Sequence, residues 1–444
     1  MSVAPEAVDA VVAAPAADAR DSLPPLAKDA SFLGMTATQF LGAFNDNLFK
    51  QMVLLFLVAG GSRFDPKLAQ AAGFFLFAIP FVLFSGFAGW LADRYSKRSI
   101  IVLCKVAEIA IMAAGMVAFY GDTAAGLLIV LFFMGAQSAY FGPSKYGILP
   151  ELVRDRDLPP ANGVIQMTTF AAIILGTAVA GETLTIARET GTPVWQVNGL
   201  CVLIAVVGTL TAFPIRHTPI AHAGLPFEPA ALVMTKQTRQ VLLGDRPLLS
   251  ALLVNTVFWF LGALVLMTVN DFGVLQMEYT EAQTARLLVC INAGIAAGCI
   301  FAGRLSRGRV RFGLVTAGAI GIAAFQVATA IVPFLGLSAT MTEWLLRITL
   351  LCTGIATGLF AVPLAVFIQA RPPADQKGRM IAAMNLFNWV GIVFAPFVYL
   401  AAAWTLGALS LPVSLTFVLG AVLILPVAFL YRPKDEALGE RGAV

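Results

Sequence analysis

Apolar residues in this chain come in long unbroken runs rather than in alternation or in narrow stripes. Twelve runs cover roughly 33–59, 68–92, 99–120, 124–143, 159–186, 195–213, 249–273, 283–303, 312–335, 343–369, 378–403 and 411–431. Crossing a bilayer core of about 30 Å takes about 20 apolar residues in a helix. A membrane barrel would instead show alternating segments of about ten residues. The pattern therefore predicts an all-α membrane protein with twelve transmembrane helices. The longest polar gap, 214–248, falls between the sixth and seventh runs and holds His217, Pro219, His222, Lys236, Arg239 and Arg246. It divides the chain into an N-terminal six-helix bundle (31–213), a cytoplasmic linker (214–248) and a C-terminal six-helix bundle (249–432). The Ala-, Pro- and Asp-rich segment 1–30 has no basic start followed by an apolar stretch. It reads as a disordered tail rather than a cleaved signal, and 433–444 reads as a second tail.

Composition narrows the function classes. The 444 residues are 59% hydrophobic and 12% charged, about half the charge of a soluble domain, so a soluble multi-domain enzyme is excluded. A net charge of +4 gives no reason to expect nucleic acid. Cys104, Cys201, Cys290, Cys299 and Cys352 all fall in apolar runs without metal or redox spacing, so they read as small core residues. Neither metal nor cofactor is expected, and no nucleophile sits beside a base.

Orientation follows from the basic residues. With the N-terminus in the cytoplasm, only Arg63, Lys67, Arg188, Arg286 and Arg347 fall on the outer side, and Lys50 and Lys105 fall inside spans. The remaining 22 of 29 Lys and Arg are cytoplasmic. Both termini are expected there.

The halves look duplicated. Gly89-Trp90-Leu91-Ala92-Asp93-Arg94-Tyr95-Ser96-Lys97-Arg98 follows the second run, and Gly303-Arg304-Leu305-Ser306-Arg307-Gly308-Arg309 follows the eighth, six runs later. The second copy lacks the acid of Asp93. Gly89 allows close helix approach, and Asp93 at a helix end can accept bonds from a neighbouring helix or pair with a base. Gly89, Asp93, Arg94 and Arg98 are therefore expected to form a cytoplasmic conformational latch. Pro143 is expected to end the fourth helix and Pro363 to interrupt the tenth. The loop after the second run resembles the signature of the major facilitator superfamily, whose fold is two pseudo-symmetric six-helix bundles.

Ionisable groups inside a membrane mark functional sites. The first run carries Gln39, Asn45, Asp46, Asn47, Lys50 and Gln51. Asp46 and Lys50 share a face four residues apart and can pair. A helix so polar is expected to line a cavity between the halves. Further candidates are Gln137, Tyr140, Lys145 and Tyr146 around the fourth run, Gln166 in the fifth, and Phe258 and Trp259 in the seventh. Lys105 and Glu108 form a second charged pair in the third. Both signs beside Phe- and Leu-rich walls suit an amphipathic, zwitterionic substrate.

QFLGAFNDNLFKQ in the first run, SAYFGPSKYGILPELV across the fourth, PPANGVIQMTTFAAIILGTAVAG in the fifth and FAVPLAVFIQ in the tenth resemble the bacterial lysophospholipid transporters. The resemblance implies inward movement of lysophospholipids such as lysophosphatidylethanolamine across the bacterial inner membrane, for reacylation at the cytoplasmic face. It carries over Asn45, Asp46, Asn47, Pro143, Lys145, Tyr146, Gly147, Asn162 and Gly163. The chain ends at Val444 without a soluble domain, so an acyltransferase partner is expected as a separate chain. Membrane lipids are the other partners, and a monomer is expected. The family often has glutamate where this chain has Gln166, which puts substrate or coupling in question. The competing reading is a proton-coupled facilitator or exporter of a small amphipathic solute or drug, using Asp46.

Overall fold

The computed structural model describes residues 23–59, 65–154, 157–218, 236–306, 309–371, 377–433 and 435–437. Long helices dominate: α1 (Ala30–Val58), α2 (Pro66–Arg94), α3 (Lys97–Tyr120), α4 (Ala124–Gly147), α5 (Leu158–Thr190), α6 (Val194–Leu210, interrupted at Asn198), α7 (Arg246–Asp271), α8 (Glu281–Ser306), α9 (Phe312–Ile331), α10 (Ala339–Ala370), α11 (Lys377–Ala408) and α12 (Leu415–Leu430). Each coincides with one apolar run to within five residues at either end. Among the described residues, nine helices are long and apolar enough to cross a membrane. The helices α6 and α12 are shorter apolar ones, and α1 has the length, at 29 residues, but also the polar residues noted above. The protein is a multi-pass membrane protein.

Lipid offers no hydrogen bonds, so backbone groups must be satisfied within each span. The ends are set by polar caps. The Asp29 carboxylate accepts from the Ser31 and Phe32 amides at 2.9 and 3.3 Å. Asp65 does the same at the start of α2, ahead of Pro66, and Asp245 at the start of α7, ahead of Pro247. Such caps are worth about 1 kcal/mol each. The expected tail therefore ends earlier than residue 30: Leu26–Lys28 is a 3-10 turn and Asp29 also pairs with Arg216. Residues 1–22 lie outside the described residues, as do 219–235 of the linker. Its last part forms a short helix, Lys236–Gly244, leading into α7.

Two expectations about proline are corrected. Pro143 does not end α4, which runs on to Gly147, and Pro363 lies inside a continuous α10. Pro80, Pro396 and Pro426 are likewise inside helices. Packed neighbours in a membrane bundle compensate the lost backbone bond.

The packing repeats with a period of six helices. α1 packs on α5, α2 on α4, α3 on α4 and α6; correspondingly α7 packs on α11, α8 on α10, α9 on α10 and α12. Small residues permit the closest crossings. A Cβ on Gly294 would lie 2.2 Å from the Leu351 carbonyl of α10, and one on Gly354 would lie 2.2 Å from the Ile291 carbonyl of α8. Between the halves, α2 meets α11 and α5 meets α8. Hydrogen bonds and ion pairs between described residues of opposite halves all lie at the end away from the chain termini, the far end. They include Lys67 Nζ to the Ala403 carbonyl at 3.2 Å and the Ala282 amide to Thr185 Oγ1 at 3.0 Å. At the end carrying the termini, Cβ atoms on Gly89, Gly142 and Gly303 would meet nothing within 4 Å.

The C-terminal segment folds back on the second half. Glu436–Ala437 pairs antiparallel with Arg309–Val310, and Asp435 accepts from the Phe312 amide at 2.8 Å, capping α9.

Candidate functional site

α1 carries the polar cluster because its apolar positions are already used. Leu48, Phe49, Met52 and Val53 are fully buried in the N-terminal core, leaving Asp46, Asn47 and Lys50 half-buried on the remaining face. At 3.6 residues per turn these three stay together.

Asp46 and Lys50 do not form a direct ion pair. Asp46 Oδ2 accepts from Ser138 Oγ of α4 at 2.6 Å, while Oδ1 is buried without a partner. Lys50 Nζ donates to Asn47 Oδ1 at 3.1 Å and lies 4.9 Å from the centre of the Phe77 ring. Spacing brought the two charges to one face, but a hydroxyl on α4 and an amide one turn away are the nearer partners. The result is a buried carboxylate oxygen without a partner and an ammonium with spare donors on the same face.

Beneath this face lies a second charged pair. Lys105 and Glu108 bond directly and both are about 1% exposed. Asn45 Nδ2 joins them, donating to Glu108 Oε1 at 2.8 Å and to the Cys201 carbonyl at 3.1 Å. Asn45 is thus a buried tie between α1, α3 and α6. Gly42 and Gly208 make room for the ammonium, with Nζ 3.4 and 2.9 Å from where their Cβ atoms would be.

Toward the terminal end, Lys145 Nζ is 3.5 Å from Thr169 Oγ1 and sits over the Tyr146 ring. Thr169 donates to Gln39 Oε1 at 2.9 Å, and Gln39 Nε2 donates to Thr168 Oγ1 at 2.6 Å. A polar track therefore links α4, α5 and α1. Gln137 donates to the Cys104 carbonyl at 3.2 Å, and its Oε1 lies 3.1 Å from Ser138 Oγ. Tyr140 stacks on Phe84 of α2. Phe258 packs on Phe360 and against Trp259, which is exposed, in the second half. No hydrogen bond, ion pair or ring contact joins that pair to the α1 cluster among the described residues. Gln166, Asn162 and Gly163 are on α5, but the surroundings of these three positions lie outside what is described. Ser138 and Thr169 were not singled out from sequence; an isolated hydroxyl in an apolar run is a weak signal, since it often bonds its own helix.

The expected latch residues occupy the terminal end of α2 and the start of α3. Asp93 is exposed and Arg94 lies over the Trp90 ring at 5.5 Å. Arg98 instead grips the end of α6 within its own half, donating to the Ile215 and Phe213 carbonyls and contacting His217. Among the described residues no three His, Cys, Asp or Glu side chains gather as a metal site.

Known proteins are similar to this chain in sequence and in fold. Lysophospholipid transporter LplT of Enterobacter sp. (strain 638) is 28% identical over 367 residues, 80% of this chain and 84% of that one. LplT of Klebsiella pneumoniae (strain 342) is 28% identical over 411 residues, 90% and 94% of the two chains. Among solved structures, the nucleoside transporter NupG superposes with a TM-score of 0.69 at 13% identity, covering 90% of this chain and 98% of its own. The human organic anion transporter MFSD10 (TETRAN) gives 0.61 at 16%, covering 92% and 100%. The sequence model of the Major Facilitator Superfamily matches residues 35–396, from the polar first helix to the eleventh. With its packing repeated every six helices and its halves meeting through α2–α11 and α5–α8, the chain belongs to the Major Facilitator Superfamily.

Proposed function

We propose that this protein moves lysophospholipids, such as lysophosphatidylethanolamine, across the bacterial inner membrane toward the cytoplasmic leaflet by alternating access. The observation that carries the reading is the mixed-sign face on α1: an unpartnered Asp46 oxygen and a Lys50 ammonium with free donors, one turn apart within the bundle. Relatives named lysophospholipid transporter align along most of the chain. In this reading Asp46 takes the head-group amine, Lys50 and Lys145 take the phosphate, and Asn47, Gln137, Tyr140, Tyr146 and Gln166 complete the polar wall. Asn45 positions Asp46 through its bond to Glu108. Phe258 and Trp259 supply apolar wall for the acyl chain. Both termini face the cytoplasm, where the basic residues concentrate, so the far end is the outer one and this conformation faces inward. Gly89, Asp93 and Arg94 engage the other half when the inner end closes, and Arg98 holds the loop after α6 in place. The protein acts as a monomer, is not itself an enzyme and delivers its product to a separate acyltransferase.

The test is movement of labelled lysophosphatidylethanolamine in proteoliposomes. Asp46→Asn keeps the shape and the Ser138 bond but removes the charge, and is expected to slow movement at least about tenfold, the size of one charge-assisted hydrogen bond. A folded Asp46→Asn protein working at the normal rate removes the role given to Asp46. Proton-driven movement of a small solute, with lysolipid left untouched, overturns the substrate.

A further inference from the structure

Five polar side chains, beginning one residue beyond Lys50 on α1, join the two halves at the far end. Gln51 of α1 donates to Asn270 Oδ1 of α7 at 2.9 Å. Gln70 of α2 donates to Asp271 Oδ1 of α7 at 3.0 Å and lies 3.2 Å from the Met267 carbonyl and 3.0 Å from the Tyr399 hydroxyl of α11. Tyr399 in turn donates to Asp271 Oδ2. All five are at most 1% exposed, in a region where an unbonded polar group is costly.

This cluster is not a fully satisfied core. Gln70 Oε1 and Asn270 Nδ2 are buried without partners. An orphaned acceptor and donor penalise the closed arrangement, and water relieves both once the halves part. The cluster therefore holds the far end shut by a small margin. Directly after Asp271 the helix changes to a π-turn, Phe272–Gln276, and Glu278 beyond it has a positive φ of 55°. Wider turns of this kind mark places where a helix can shift register. Two ion pairs also cross between halves: Arg286–Glu182, exposed on both sides and so weak, and Arg188–Glu281, in which a half-exposed arginine meets a buried carboxylate.

We propose that Gln51 and Gln70 are the fixed half of an outer gate, and that the Asn270–Asp271 end of α7, hinged at the π-turn and backed by Tyr399, is its moving leaf. Opening breaks the two glutamine contacts and leaves Asp271 and Tyr399 together on the second half. The proposal rests on the alternating-access reading above, but its test does not depend on which solute moves.

The experiment uses full-length protein in which the five native cysteines are replaced, with one reporter cysteine at a time and a membrane-impermeant maleimide. Thr268→Cys reports the far end, where Thr268 is buried on α7. Gly142→Cys reports the terminal end, where that position meets open space. Adding Gln51→Ala and Gln70→Ala is expected to raise far-side labelling of the Thr268→Cys reporter about tenfold, the population shift from losing a buried hydrogen-bonded group in one of two states. Labelling of the Gly142→Cys reporter falls at the same time, because one end closes as the other opens. No change at either reporter overturns the gate, and so does a rise at both, which is general loosening. A second variant covers poor folding of the first. Thr185→Cys with Ala282→Cys bridges α5 and α8 at the far end. Oxidation is expected to leave the Thr268→Cys reporter unreactive, and reduction to restore its labelling. Far-side labelling that persists in the cross-linked protein overturns the gate. Reporters that respond as expected in a protein that moves no lysolipid leave the gate standing and remove only the substrate.

Discussion

Glu108→Leu is expected to unfold the N-terminal half more readily than any neighbouring change, and the reason is quantitative. Glu108 and Lys105 are both about 1% exposed and bond to each other. Removing the carboxylate strands a fully buried ammonium beside Gly42 and Gly208. Breaking one side of a buried pair destabilises by about 3–5 kcal/mol. Asn45 also loses one of its two acceptors, adding about 1 kcal/mol. In a half of this size that lowers the unfolding midpoint by about 10 °C or more. Lys105→Met in the same chain removes the stranded charge with a side chain of similar length. The double variant is then expected to recover most of the loss, leaving about 1 kcal/mol from Asn45, which keeps its bond to the Cys201 carbonyl at 3.1 Å. The assay is thermal unfolding of detergent-solubilised protein, followed by tryptophan fluorescence and by the monodisperse fraction after heating, for wild type, both single variants and the double. A double variant as unstable as Glu108→Leu alone refutes the reasoning, because the stranded charge would then not be the cause.

Gly181→Ala is expected to favour the conformation open at the far end, since its Cβ would lie 2.4 Å from Ala285 Cβ and 2.6 Å from the Glu281 carbonyl across the α5–α8 contact. Maleimide labelling at the far end should rise, with little change in thermal midpoint, because neither half is altered internally. Asp435→Ala removes the cap on the Phe312 amide and should cost about 1 kcal/mol, seen as faster proteolysis of the C-terminal segment while transport persists. Arg98→Gln loses the grip on the Phe213 and Ile215 carbonyls and should make the chain after α6 more sensitive to protease without changing lysolipid movement. A large loss of transport from Arg98→Gln in well-folded protein instead assigns that arginine to the moving latch.

The helices were legible because a membrane span must be apolar for its whole length. α1 was recognisable even though Asn45, Asp46, Asn47, Lys50 and Gln51 interrupt it, because Met52 to Val58 continue the run. Helix ends were less clear: Asp29 reads as part of a polar tail, yet its carboxylate starts α1. Prolines misled in the opposite sense, since the rule that they stop helices holds in water, whereas Pro143 and Pro363 sit in helices supported by packed neighbours. In the site, spacing placed Asp46 and Lys50 on one face correctly. It did not reveal that each has a nearer neutral partner, because Ser138 comes from a different helix. The outer cluster was the least legible. Gln51–Asn270, Gln70–Asp271 and Gln70–Tyr399 join positions 219, 201 and 329 residues apart, and taken singly each reads as an ordinary polar residue near a helix end.

The two short helices have a consequence for the surrounding membrane. α12 has 16 residues and rises about 24 Å, and α6 is in the same class, against a hydrocarbon core of about 30 Å. They occupy equivalent places, α6 packed on α1 and α3, α12 on α7 and α9. Lipid beside them must compress to keep apolar surface covered. On helix length alone, bilayer thinning is expected beside each of these two helices, one place on each half. Bilayer thickness becomes a property the protein feels, and membranes with longer acyl chains strain these two flanks first.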